Sequence, residues 1–219
     1  MKYQAVIFDW DGTLVDSVDH IAQSLVLAAE ELDYPYRSLE QCRNIVGLGM
    51  IEALERLYPG ITSDEIKRLR QAYGVHFFSR ETLPENVFSG VNDLLDRLRA
   101  QGHKLAVATG KSRPGLDKGL LSSGLGDYFE LTRCADETAS KPDPTMLREI
   151  LRHWQLPAEQ AVMVGDTAFD LEMAHRLGMP SVGVTWGGHH RDALLEWEPV
   201  AVVDTMAQLE QALNGQLSH

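Results

Sequence analysis

The chain has little cysteine, little positive charge and no long apolar run. Cys42 and Cys134 are the only two cysteines in 219 residues. Two thiols so far apart make neither a disulfide framework nor a metal-ligand spacing. A small disulfide-stapled scaffold and a zinc module are therefore excluded, and a reduced, cytoplasmic setting is expected. Lysine and arginine together number 20 against 32 acidic residues, a formal net charge of −12. Nucleic-acid and anionic-membrane surfaces need clustered cations, so neither partner is expected. An anionic small molecule remains compatible, because a local positive site can sit in an acidic protein. No apolar run approaches the length of a membrane span. The opening "MKYQAVIFDWD" lacks the apolar core of a signal peptide and runs directly into a strand pattern. Internal repeats and low-complexity segments are also missing.

What is present is the composition of a globular domain, 44% apolar and 24% charged, with length for one large domain or one and a half. Short apolar runs fall at 5–8, 105–108, 161–164, 181–185 and 201–203. Amphipathic helical patterns lie between most of them. "GVNDLLDRLRAQG" sets Val91, Leu94, Leu95 and Leu98 on one face and stops at Gly102, and "PTMLREILRHW" does the same with Met146, Leu147, Ile150 and Leu151. Strands alternating with helices predict an α/β fold, a Rossmann-like parallel sheet core with helices on both faces. The alternation breaks once. From Asp16 to about Thr82 only helices are predicted, with Val18, Ile21, Leu25, Ala28 and Leu32 in steps of three and four. Capping-box patterns begin at Ser38 with Gln41 and at Thr62 with Glu65. The organisation expected is an α/β core of residues 1–15 and 83–219, re-entered near Pro84, and an inserted all-helical cap domain of residues 16–82.

The chemistry-bearing residues gather at strand ends. Ligands of open parallel sheets bind beyond the carboxyl ends of the strands. Asp9 and Asp11 follow the first strand, Thr109-Gly110-Lys111 follows "LAVA", and Gly165-Asp166-Thr167 with Asp170 follows "AVMV". Lys141, in "SKPDP", lies in a loop able to reach the same edge. Two carboxylates about 4 Å apart repel by roughly 4 kcal/mol at an effective dielectric near 20. A hard divalent cation with oxygen ligands removes that penalty, and Mg²⁺ suits a site of few carboxylates with open positions. A phosphoryl oxygen can complete its shell, with Lys141 and Thr109 orienting the remaining oxygens. The two aspartates of Asp-x-Asp can divide the work, one ionised as nucleophile and one carrying a proton for the leaving group.

Four stretches in this order, "FDWDGTL", "VATGK", "KPDP" and "VGDTAFD", resemble the motifs of the haloacid dehalogenase superfamily. The branch resembled has a helical cap and is phosphoglycolate-phosphatase-like, and the resemblance covers nearly the whole chain. It implies a phosphatase for a small phosphorylated metabolite. It further implies Asp9 as nucleophile and Asp11 as general acid and then base. Mg²⁺ is expected on Asp9, the Asp11 carbonyl and Asp166, with Asp170 in support. Thr109, Gly110 and Lys141 are expected at the phosphoryl group, and an aspartyl-phosphate on Asp9. Arg43 and Lys111 are substrate candidates, Arg43 because a cation near "RNIVGLGM" could meet a carboxylate tail, with Gly47 and Gly49 turning that stretch towards the core. Trp10 is expected to pack, His20 to lie on a helix surface, and His189-His190 to be solvated or at the site edge.

Other readings share parts of this pattern. A haloalkanoate dehalogenase needs no acid at Asp11, and a phosphonate hydrolase wants a cap lysine, for which Lys67 is the only candidate. A sugar-phosphate mutase shares the core residues. A phospho-aspartate signalling module uses similar groups without turnover, but in another motif order and without the helical insertion.

Overall fold

The computed structural model describes residues 2–79 and 86–216. The return to the core expected at 83, with Thr82 and Pro84 beside it, lies outside these residues. Six parallel strands form one sheet in the order β3-β2-β1-β4-β5-β6. They are β1 (Ala5–Phe8), β2 (Lys104–Thr109), β3 (Leu131–Cys134), β4 (Ala161–Gly165), β5 (Ser181–Val184) and β6 (Ala201–Val203). The first of these is central, and strand order reverses on either side of it, which opens a crevice at its carboxyl end.

Side chains alternate across the pleat. Val6 and Phe8 of β1 join Val107, Val164, Val182 and Val203 on one face of the sheet. That face is covered by α5 (Val91–Ala100), α6 (Arg113–Ser123) and α10 (Met206–Leu213). Ala5 and Ile7 join Ala106, Ala108 and Met163 on the other, beneath α7 (Thr145–Trp154) and α8 (Ala168–His175). A short α9 (Arg191–Leu195) precedes β6. Helix α5 ends where expected, because Gly102 takes φ +85°, a conformation that costs glycine nothing.

Between β1 and α5 the chain forms α1 (Val18–Glu31), α2 (Leu39–Arg43), α3 (Met50–Leu57) and α4 (Ser63–Phe78). These helices enclose a third apolar cluster of their own, built on Ile21, Leu25, Cys42, Leu54, Leu69 and Phe77. Both predicted capping boxes form. Ser38 Oγ accepts from Gln41 N–H, Thr62 Oγ1 accepts from Glu65 N–H, and each N3 side chain accepts from its N-cap amide. One strand was not anticipated. The edge strand β3 reads Leu-Thr-Arg-Cys and only Cys134 is fully buried, so it carries no apolar run for a pattern search to find.

Leu54 is 1% exposed at the centre of the cap cluster. Leu54→Ala should destabilise the cap by about 2–5 kcal/mol through lost burial and a residual cavity. Urea unfolding followed by intrinsic fluorescence measures it, and a loss well under 1 kcal/mol would mean that the helices do not rely on this cluster.

Candidate active site

Register brings the motif residues together. Phe8 pairs with Val107 on one side and Val164 on the other, so Asp9, Thr109 and Asp166 emerge at the same edge. The chain then turns tightly. Gly12 adopts φ +78° and its N–H donates to the Val15 carbonyl at 2.8 Å. This turn lies against Asp166, such that a β-carbon on Gly12 or on Gly187 would overlap the Asp166 carboxylate. Thr13 Oγ1 donates to Asp166 Oδ1 at 2.8 Å and Gly188 N–H donates to Oδ2 at 2.7 Å. Sequence reasoning passed over Thr13 and Gly188. The glycine pair after β5 sits at the ligand-binding edge, a signal that was available.

Lys141 is 1% exposed. Its ammonium lies 2.7 Å from Asp9 Oδ1 and 2.6 Å from Asp170 Oδ1. The second Asp170 oxygen accepts from Thr167 N–H and Oγ1, closing the capping box of α8. Carboxylate oxygens of Asp9, Asp166 and Asp170 fall within 4.8 Å of one another. Burial raises the Asp9 pKa well above its ordinary value; Lys141 opposes this, and the charges of Asp170 and Asp166 add to it. Burial, followed by the Asp170 charge, pushes Asp166 up to about 7. For Lys141, burial disfavours the charge, yet Asp170 and Asp9 outweigh it and hold the ammonium above the ordinary lysine value.

Asp11 faces the other way. Its Oδ1 accepts from Ser17 Oγ at 2.6 Å and from Lys111 Nζ at 2.9 Å. The Lys111 ammonium also sits 4.8 Å above the Phe77 ring of α4, a favourable cation–π placement. It thereby touches both the core acid and the cap. A cavity of about 260 Å³ opens here between core and cap, with Asp9, Asp11, Thr109, Gly110 and Lys111 on its core side. The loop between α2 and α3 closes one end of it. A β-carbon on Gly110 would meet the Gly47 and Leu48 carbonyls at 2.5 Å, and Gly49 N–H donates to Ser140 Oγ at 2.7 Å. Gly47 takes φ +102° to make that turn.

Whether the residues fit a cation can be judged from their donors. Among the described residues, Asp9, Asp11, Asp166 and Asp170 are paired only with the ammonium groups of Lys111 and Lys141, which leaves a surplus of negative charge. Asp9 Oδ2 is buried without a hydrogen-bond partner among the described residues. A hard divalent cation with oxygen ligands fits both facts. The cluster contains no Cys or His, so it does not suit zinc.

Arg43 does not reach the cavity. Its guanidinium pairs with Asp19 Oδ1 at 2.6 Å on the surface, because the helix ends there and the backbone beyond it turns inward. His20 is more than helix surface: it stacks on Phe77 at 4.8 Å and its Nε2 bonds the Phe77 carbonyl. His189 is half-buried at the edge of the site, and His190 is exposed. The His189 Nδ1 accepts from Ala168 N–H at 3.0 Å and its Nε2 lies 3.3 Å from the Asn44 carbonyl, which ties the acidic loop to the cap. Trp10 packs as expected, edge-on to Phe129 and against Gly119.

Residues 6–184 match the family model described as haloacid dehalogenase-like hydrolase. The chain belongs to that family. Among curated relatives of this hydrolase, a probable phosphatase IndB from Dickeya dadantii is 37% identical, over 97% of this chain and 94% of that protein. A phosphoglycolate phosphatase from Aliivibrio fischeri is 30% identical, over 95% and 96%. In fold, a hydrolase from Pseudomonas syringae superposes with a TM-score of 0.87 at 22% identity, covering 98% of this chain and all of that one.

The hydrolase should respond to pH through Asp166. Its folded value of about 7 exceeds the ordinary 3.8, so the metal-free fold binds this proton more tightly than the unfolded chain does. That stabilisation is complete below about pH 4 and is lost as pH rises through about 7. In EDTA, Tm should fall between about pH 4 and 7, and saturating Mg²⁺ should flatten the fall by neutralising the cluster. Melting curves that run parallel with and without Mg²⁺ would show that these carboxylates hold no cation.

Proposed function

We propose that this hydrolase is an Mg²⁺-dependent phosphatase that cleaves a small phosphorylated metabolite by way of an aspartyl-phosphate on Asp9. The observation that carries the reading is the Asp9 carboxylate. It is held on one oxygen by the Lys141 ammonium, left without a hydrogen-bond partner on the other, and set at the end of a cavity able to admit a substrate. Asp9 and Asp166 would hold the ion with the Asp11 backbone carbonyl, while Asp170, engaged on both oxygens, supports from behind. When bound, the ion supplies positive charge that lets Asp9 and Asp166 ionise together and neutralises phosphoryl oxygens. Thr109, the backbone at Gly110, and Lys141 orient the phosphoryl group. An Asp9 oxygen attacks phosphorus as the ester bond breaks, and the leaving oxygen takes a proton from Asp11. Asp11 then removes a proton from water, which attacks phosphorus and frees Asp9 and inorganic phosphate. The cap, residues 16–82, would close over the core to exclude bulk water. Two buried free cysteines suit a cytoplasmic enzyme.

Lys67 is exposed and does not line the cavity, which disfavours a phosphonate hydrolase with a cap Schiff base. A mutase would return the phosphoryl group to a second hydroxyl instead of to water. Release of inorganic phosphate separates the two, and repeated turnover excludes a signalling module.

Asp9→Asn should keep the fold and reduce turnover by about 10³-fold or more, since an amide of the same shape cannot attack phosphorus. Asp166→Ala should be partly rescued by raised Mg²⁺, and Asp11→Ala should not. The measurement is phosphate release from a metabolite panel, titrated against Mg²⁺ for each variant. Near-normal turnover by Asp9→Asn would end the covalent mechanism, and equal rescue of the other two would end the division of roles.

A further inference from the structure

We propose that helix α4 forms the receiving wall for the leaving group, and that Gly74 keeps that wall open for a sugar ring. The substrate is then a phosphate ester of a sugar ring, free or within a nucleoside, and not of a two-carbon acid. The inference rests on the phosphatase reading above and narrows it.

Arg70, Tyr73, Gly74 and Phe77 all line the cavity. Their spacing of three, four and seven residues puts them on one side of α4. Gly74 stands well inside this helix of 16 residues, where glycine is the least favourable residue apart from proline. Among the described residues nothing calls for it. A β-carbon there would meet no described atom within 4 Å, apart from its chain neighbours and its own helical backbone, and its φ is not left-handed. Gly110 and Gly165 differ, since a β-carbon on either would collide with neighbouring atoms. The open space at Gly74 borders the cavity that it lines.

The groups around that opening suit a ring better than a compact acid. Tyr73 stacks on Phe77 at 5.4 Å, and Phe77 stacks in turn on His20 at 4.8 Å, which makes a firm aromatic flank. Lys111 marks the phosphoryl end of the wall by its place over Phe77, but its charge is taken up by Asp11. Arg43 is turned out to Asp19. The cavity's other lysine or arginine is Arg70, which has no ion-pair partner among the described residues. It lies seven residues from Phe77, about 10 Å along the helix at 1.5 Å per residue. A sugar ring extends further along the wall towards Arg70 than a two-carbon tail does, and it offers hydroxyl acceptors to that guanidinium. The cavity volume of about 260 Å³ corresponds to roughly nine waters at about 30 Å³ each, room for a ring beside the phosphate.

The test uses the full chain with Mg²⁺ and four substrate types: hexose and pentose phosphates, nucleoside 5′-monophosphates, phosphoglycolate, and acetyl phosphate. Wild type should favour at least one sugar-ring ester over phosphoglycolate in kcat/KM by about tenfold or more. Gly74→Ala should raise Tm by about 1–4 °C, as a better helix former, yet raise KM for the ring substrate several-fold. Gly74→Leu should lower the ring-to-phosphoglycolate ratio of kcat/KM by about tenfold or more. A preference confined to nucleoside monophosphates, or one shared by the free sugar phosphates, supports the proposal and tells the two sources apart. A wild type that prefers phosphoglycolate overturns it, as does a ratio unmoved in both variants while Tm rises in Gly74→Ala. Phosphate release from none of the four, acetyl phosphate included, would instead overturn the phosphatase reading beneath it.

Discussion

The buried Lys141 ammonium is the interaction on which the rest of this structure depends. It lies between Asp9 and Asp170 with no access to water, and an unpaired charge there would be prohibitively costly. Removing the ammonium would leave two buried carboxylates uncompensated, so Lys141 ties the loop before α7 to the end of β1 and the first turn of α8. The arrangement is still incomplete in charge, and the raised values of Asp9 and Asp166 record that imbalance. Those values mark a cluster short of positive charge, which is what the divalent cation of the proposed mechanism would supply.

Backbone economy makes such crowding possible. Gly12, Gly187 and Gly165 lie so close to Asp166 or Asp170 that a side chain on any of them would displace a carboxylate. The sheet contributes through register, which ends β1 and β4 at a common level. The cap meets this edge at several unlike points: a lysine over an aromatic ring, a histidine bridging two loops, and loop carbonyls over a glycine. None is a large apolar interface, and contacts of this kind fit the closure proposed for the cap.

Much of this was legible in the chain itself. The strands that build the centre of the sheet carry unbroken apolar runs, and polar clusters at their ends announce the site. The two capping boxes are short-range chemistry that spacing alone reveals. What escaped was decided by distant partners. Arg43 looked available until Asp19, 24 residues away in sequence, was found beside it. Lys111 could not be assigned without knowing that the turn after β1 delivers Asp11 to it across 100 residues. His189 read as a loop histidine because its partners, Ala168 and Asn44, belong to other elements. The edge strand β3 is held by its pairing with β2, and its own residues are too polar to declare it.

The loop from Asn44 to Gly49 meets the core through main-chain atoms. The carbonyls of Gly47 and Leu48 stand over Gly110, and the Gly49 amide bonds Ser140. Peptide groups are the same whatever side chain they bear. How the lid seats is thus uncoupled from the identity of the side chains that the loop carries. Ile45, Val46 and Leu48 line the cavity and also pack into the cap's apolar cluster, so they shape what the enclosure admits while the loop's main-chain atoms meet the core. The seat on the core does not depend on that lining, and a change in what the enclosure admits leaves the main-chain bearing in place.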